Sequence, residues 1–147
     1  MLKSKALESA SNGIVITDAL KKDNPIIYCN PAFIELTGYK EEEILNMNCR
    51  FLQSDDRDQD SIKKIRQAIK KGESCQATIR NYKKDRTLFW NELNITPIKN
   101  KQGKVTHFIG IQNNVTERKK QEFFRKKQNH ILELIAQDNH LYEVLKD

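Results

Sequence analysis

The sequence predicts an α+β domain: a five-stranded antiparallel sheet with short helices covering one face, followed by a C-terminal linker helix. Three observations carry this reading. Two short β-branched runs lie near the N-terminus, and three longer runs of alternating character lie between Cys75 and Asn114. Between the two groups sits a stretch dense in helix caps, so helices and strands are segregated along the chain. From Glu117 onward the pattern is helical to the end.

Residues 1–12 read as an N-terminal cap segment ahead of a core spanning 13–116, with 117–147 as linker. The run Gly13-Ile14-Val15-Ile16-Thr17 is the first strand and Ile26-Ile27-Tyr28-Cys29 the second, separated by the turn dipeptide Asn24-Pro25. Asn30-Pro31 then opens a helix, since Asn caps and Pro fits the first helical position, and Gly38 closes it. Glu41-Glu42-Glu43-Ile44-Leu45 makes a second helix, its acids near the positive end of the dipole. A short helix carries Cys49-Arg50-Phe51-Leu52. The acidic stretch Asp55 to Asp60 leads into a helix over Ser61 to Lys71, which has Ile62, Ile65 and Ile69 on one face and Gly72 at its end. Strands follow at Cys75 to Tyr82, Thr87 to Ile98 and Lys104 to Asn114; the first two form a hairpin around Lys83 to Arg86. The last helix is expected to break near Asp138-Asn139.

Charge and cysteine content narrow the function classes. The chain has 147 residues, 37% hydrophobic and 31% charged, with a net charge of +6. Six basic residues against two acids between Glu117 and Lys127 contribute +4 of that, so one helix carries most of the basicity. Such a patch can bind nucleic acid or anionic lipid. It reads here as a solvated helix of mixed charge, with no nucleic acid partner and no membrane expected. Cys29, Cys49 and Cys75 are odd in number and irregular in spacing, which suits neither a disulfide framework nor a zinc site. No metal is expected, and the setting reads as cytoplasmic with reduced thiols.

Polar residues stand where apolar ones belong. Strand alternation puts Cys75, Ala77, Ile79 and Asn81 on one face, and Phe89, Asn91, Leu93 and Ile95 on another that looks equally buried. In the last strand Phe108, Gly110 and Gln112 share a face. Three amides therefore point toward the helix-covered core. Each costs roughly 1–3 kcal/mol if buried without partners. A planar heterocycle with alternating carbonyls and ring nitrogens would satisfy them, and Gly110 would let it approach the strand. The alternative is that the amides pair with each other, with backbone or with buried water. Arg50 and Arg66 would suit a phosphate. Asn48 and Gln53 flank Cys49 on its short helix and could bind hydroxyls. A lone cysteine is more often an inert buried residue than a reactive one.

At Asn48-Cys49-Arg50-Phe51-Leu52-Gln53 the chain resembles the light-oxygen-voltage (LOV) branch of the PAS sensor family, especially its bacterial members. Supporting stretches are Ile16-Thr17-Asp18, Asn24-Pro25-Ile26-Ile27-Tyr28, Leu36-Thr37-Gly38-Tyr39, Asn81-Tyr82-Lys83-Lys84-Asp85, Phe89-Trp90-Asn91-Glu92-Leu93 and Gly110-Ile111-Gln112-Asn113. The resemblance covers Leu7 to Thr116 and implies a PAS/LOV fold and a blue-light photoreceptor rather than an enzyme. It implies that Cys49 forms a reversible thioether to flavin carbon C4a. Asn81, Asn91 and Gln112 would bond the polar edge of the ring, and Asn48 and Gln53 the ribityl chain. Arg50 and Arg66 would bind the terminal phosphate, which favours FMN over FAD or riboflavin. Thr17, Leu52, Ile65, Ile69, Leu93, Ile95 and Phe108 would line the pocket. The signal would pass from Gln112 through the last strand into the C-terminal helix, toward a homodimer partner or an effector domain outside this chain.

Three positions depart from the family pattern. Asn46 stands where Gly is frequent, Arg86 where the hairpin turn usually has Gly, and Asn114 where an Asp is usual. Asn is the usual substitute for Gly at positive φ, so the turn at Asn46 is expected to survive. Arg86 is expected to alter the hairpin turn, and Asn114 removes a carboxylate from the exit of the last strand. Other readings fit less well. A flavoenzyme would need an acid/base pair or a Gly-rich dinucleotide motif. A ligand-free PAS module would leave the amides to be explained, and a haem sensor would need a histidine outside His107, His130 and His140.

Overall fold

The computed structural model describes residues 2–146. Five strands, β1 Gly13–Asp18, β2 Ile26–Cys29, β3 Cys75–Tyr82, β4 Leu88–Lys99 and β5 Val105–Asn114, form one sheet in the order β2-β1-β5-β4-β3. Every neighbouring pair is antiparallel. The helices are α1 Leu2–Ser9, α2 Pro31–Thr37, α3 Glu41–Ile44, α4 Asp60–Lys71 and α5 Thr116–Lys146, with a 3₁₀ helix at Cys49–Gln53. The chain divides into two compact units, Met1–Val115 and Thr116–Asp147.

Local chemistry accounts for most of these bounds. Asn30 caps α2, its Oδ1 accepting from Phe33 N at 3.1 Å, and Pro31 takes the first turn, where its missing N–H costs nothing. The same oxygen accepts from Ile14 N at 2.8 Å, while Nδ2 donates to Leu7 O at 3.0 Å and Asn12 O at 2.9 Å. One buried amide thus ties α1, β1 and α2 together. Gly38 (φ 76°) and Gly72 (φ 67°) end α2 and α4 in the left-handed region. Asn46 (φ 70°) keeps the turn before the 3₁₀ helix, as expected of Asn in a glycine position. Arg86 also takes a positive φ of 70°. The hairpin turn therefore closes on a conformation that a long side chain rarely adopts. Pro97 is tolerated in β4 because β3 pairs only as far as Ile95, which leaves the rest of β4 an edge on that side.

Val15, Ile26, Phe33, Ile44 and Leu52 build the core between the sheet and α2, α3 and the 3₁₀ helix. Beyond its strand β2 is not free: Ile26 N donates to Met47 O at 2.9 Å, and Asn46 N to Ile26 O at 2.8 Å. These two bonds lay the segment before Cys49 against the start of β2.

The second unit departs from the sequence reading. α5 runs unbroken through Asp138 and Asn139. Neither residue is Gly or Pro, and their helix propensity costs only a few tenths of a kcal/mol each, which the flanking Ala136 and Gln137 easily carry. Two exposed aromatics, Phe123 and Phe124, stand among the basic residues of this helix.

Candidate cofactor site

The pleat of β3, β4 and β5 aims Asn81, Asn91 and Gln112 at the same side of the sheet, and all three are buried. Register explains their meeting. Asn91 lies opposite Ile79 on β3 while Asn81 lies opposite Phe89; on the other side Gln112 lies opposite Leu93. Asn91 is therefore a diagonal neighbour of both other amides. Its Nδ2 donates to Asn81 Oδ1 at 3.0 Å and to Gln112 Oε1 at 2.7 Å. Asn81 Nδ2 donates to Arg80 O at 3.1 Å. The amides thus pair with one another, which was the alternative open to the sequence, yet the pairing is incomplete: Asn91 Oδ1 is buried without a partner.

A cavity of about 690 Å³ opens beside this wall, within the usual range for small-molecule sites. Fourteen of the fifteen residues singled out from the sequence line it: Thr17, Asn48, Cys49, Arg50, Leu52, Gln53, Ile65, Arg66, Ile69, Asn81, Leu93, Ile95, Phe108 and Gln112. Asn91 is not among them; its Nδ2 joins Asn81 and Gln112. Sequence reasoning missed several lining residues, among them Val15, Ile79 and Val105 on the apolar side and Lys21, Asp23, Asn24 and Arg57 where the cavity meets solvent.

Cys49 opens the 3₁₀ helix. Asn48 caps it, Oδ1 accepting from Arg50 N at 3.0 Å. Burial pushes the Cys49 thiol up to about 12, so at neutral pH the sulfur holds its proton. Cys29, packed in the core, is raised to about 11 by the same cause and lies away from the cavity. Arg50 is not free: Nη1 donates to Asp23 Oδ1 at 2.8 Å and Nη2 to Asp23 Oδ2. That bond, first among the causes, holds the Asp23 carboxyl below the usual carboxylate range. Arg66, on α4, is exposed at the rim of the cavity and makes no ion pair among the described residues.

On the far side of the cavity wall, Asp56 accepts from Arg80 Nε at 2.7 Å, Arg80 Nη2 at 2.9 Å and Tyr82 Oη at 2.6 Å. Gln59 clips to the same strand, Oε1 accepting from Arg80 N at 2.8 Å. These bonds fasten the loop between the 3₁₀ helix and α4 to β3. Arg80 also lies over the Trp90 ring, 5.7 Å from its centroid.

The residues present suit a flavin. Thr17 Oγ1 and Asn24 Oδ1, both on residues of the cavity wall, are buried without partners. A ligand rich in polar atoms would satisfy such oxygens. A Cβ at Gly110 would meet Val15 Cγ2 at 3.1 Å and Gln112 Nε2 at 3.2 Å. The missing side chain keeps the amide wall flat and reachable.

A family model described as a PAS domain matches residues 11–117. The chain belongs to the PAS domain family. Within it, the chain is 47% identical over 112 residues to a blue-light photoreceptor of Listeria monocytogenes, a match covering 76% of this chain and 44% of that protein. A solved RNA-binding light-oxygen-voltage receptor is 40% identical, with a TM-score of 0.82 over 88% of this chain and 36% of that one. The light-state structure of the aureochrome 1 LOV domain is 38% identical, with a TM-score of 0.71 over 84% of this chain and 97% of that one. With its sheet order and its cysteine-bearing cavity, this chain is a LOV domain. It spans less than half the length of the Listeria relative.

Proposed function

We propose that the chain is a blue-light photoreceptor domain that holds FMN in the β3–β5 cavity and signals by reversible bonding of Cys49. The observation that carries the reading is that a protonated thiol, the partnerless oxygens of Thr17 and Asn24, and two buried amides, Asn81 and Gln112, line one cavity. The names of the relatives, blue-light photoreceptors among them, support it.

Bound flavin supplies the absorption of blue light, an electrophilic ring carbon C4a once excited, and a neighbouring nitrogen N5 able to take a proton. Cys49 would supply sulfur and proton together, so the thiol needs no base beside it. Asn81 and Gln112 hold the polar edge of the ring, with Asn91 setting which way each amide faces. Asn48 and Gln53 bond the ribityl hydroxyls. Arg66, with Arg50 beside it, would face a terminal phosphate, which favours FMN over FAD or riboflavin. Thr17, Leu52, Ile65, Ile69, Leu93, Ile95 and Phe108 pack on the ring and exclude water.

Gln112 can present either oxygen or NH₂, so it turns when its partner atom changes from acceptor to donor. It lies near the end of β5, and α5 begins two residues beyond that strand. The output passes along this route from the core, 13–116, to the linker, 117–147, and to a dimer partner or an effector. The apolar residues of α5, Phe124, Ile131 and Ile135 among them, offer a face for a second copy.

Two measurements test the proposal. Denaturing the yellow protein should release FMN, identified by chromatography against FAD and riboflavin. Infrared difference spectra should show a cysteine S–H band in the dark that disappears under blue light and returns afterward. A protein that neither carries nor takes up any flavin, or an S–H band indifferent to light, would overturn it.

A further inference from the structure

The two cavity arginines stand in different surroundings. Arg66 faces the cavity from α4 with no ion pair among the described residues. Arg50 is gripped end-on by Asp23, which occupies two of its N–H groups and balances its charge. Asp23 has a second hold on the same turn: its backbone oxygen accepts from Asn48 Nδ2 at 2.6 Å. The β1–β2 connection therefore clasps the residues on either side of Cys49. It does so with Asp23 at φ 68° and Asn24 at φ 49°, left-handed conformations that Asp and Asn tolerate better than most residues. A phosphate dianion approaching Arg50 must displace this carboxylate or sit beside it against like charge.

We propose that Asp23 is a specificity-determining residue of the cofactor site: it competes with the cofactor phosphate for Arg50, leaving Arg66 to supply most of the preference for a phosphorylated flavin. Arg50 then serves chiefly to hold the loop on the cysteine-bearing turn. This rests on the flavin reading above. It departs from the expectation that both arginines contribute alike.

The test is the ratio of FMN to riboflavin affinity, measured by fluorescence quenching on flavin-free protein. Effects on the ring pocket cancel in that ratio. Arg66→Ala should lower the preference for FMN by about tenfold or more, the scale of one charge-assisted bond. Arg50→Ala should lower it by less than about threefold. Asp23→Asn should raise it by about threefold or more, and in that background Arg50→Ala should cost nearly what Arg66→Ala costs. Asn keeps the left-handed backbone and the carbonyl that Asn48 binds, so the loop stays anchored. Two results would overturn the proposal: Arg50→Ala matching Arg66→Ala in the otherwise unaltered chain, or Asp23→Asn leaving the ratio unchanged or lower. Failure of the unaltered chain to bind either flavin would instead remove the flavin reading itself, and this inference with it.

Discussion

Asn91→Asp isolates the amide relay, because it exchanges an amide for a carboxyl of the same shape. Asn91 is 1% exposed, and its Nδ2 supplies both bonds that orient Asn81 and Gln112, at 3.0 and 2.7 Å. An ionised carboxyl donates nothing. Three oxygens would converge, and two buried acceptors would lose their donors at roughly 1–3 kcal/mol each. Turning Asn81 over would give it a new partner, but at the expense of its bond to Arg80 O at 3.1 Å. It would also reverse the polarity that Asn81 shows the cavity. At neutral pH the variant should be destabilised by about 2–5 kcal/mol in urea denaturation of the flavin-free protein. Its flavin affinity should fall by about a hundredfold or more. Burial raises the pKa of the introduced carboxyl. The penalty is then full above that raised value and eases as pH falls through it, when the protonated carboxyl regains one donor. An unchanged denaturation midpoint together with unchanged flavin affinity at pH 7 would refute the relay.

Asn30→Ala removes the α2 cap and leaves the buried Ile14 N–H without its side-chain acceptor; a loss of about 2–4 kcal/mol is expected, and a melting temperature within about 2 °C of the parent would contradict it. Arg86→Gly relieves a positive φ of 70°; allowing for glycine's greater freedom when unfolded, thermal melts should show a gain of about 0.5–1 kcal/mol, whereas a lower melting temperature would count against the strain. Bonds from Arg80, then Tyr82, hold Asp56 at about 2, below its ordinary value of 3.8. A lowered carboxyl stabilises the fold fully above the ordinary value and loses that contribution as pH falls toward 2. Acid titration should therefore cost about 1 kcal/mol through this group after allowance for solvent screening, and the same acid slope in Asp56→Asn would show that another group is responsible.

Much of the core was legible because it depends on local rules. Asn30-Pro31, Gly38 and Gly72 mark helix ends through backbone chemistry that neighbouring residues cannot override. Period-two alternation put Asn81, Asn91 and Gln112 on the inner face, since a one-residue slip would have exposed Phe89 and Ile79. Alternation gives a face but not the partners on it, so it does not signal that Asn91 joins Asn81 and Gln112. The Asp23–Arg50 pair joins residues far apart in sequence, brought together by the bonds between Ile26 and the Asn46-Met47 turn, and no spacing in the chain signals it. The break expected near Asp138-Asn139 is absent, because in a long helix the propensity cost of Asp and Asn is small. α1 carries too weak an apolar pattern to be seen from sequence; Asn30 fixes it by donating from Nδ2 to the Leu7 carbonyl.

The most direct test of the central claim is the visible absorption spectrum of the purified protein before blue light, immediately after it, and during dark recovery, with Cys49→Ala as control. The account predicts a flavin band that bleaches and returns in the unaltered chain, and one that is present but does not bleach in Cys49→Ala. A flavin band that fails to bleach in the unaltered chain, or that bleaches and recovers alike without the Cys49 sulfur, would contradict it.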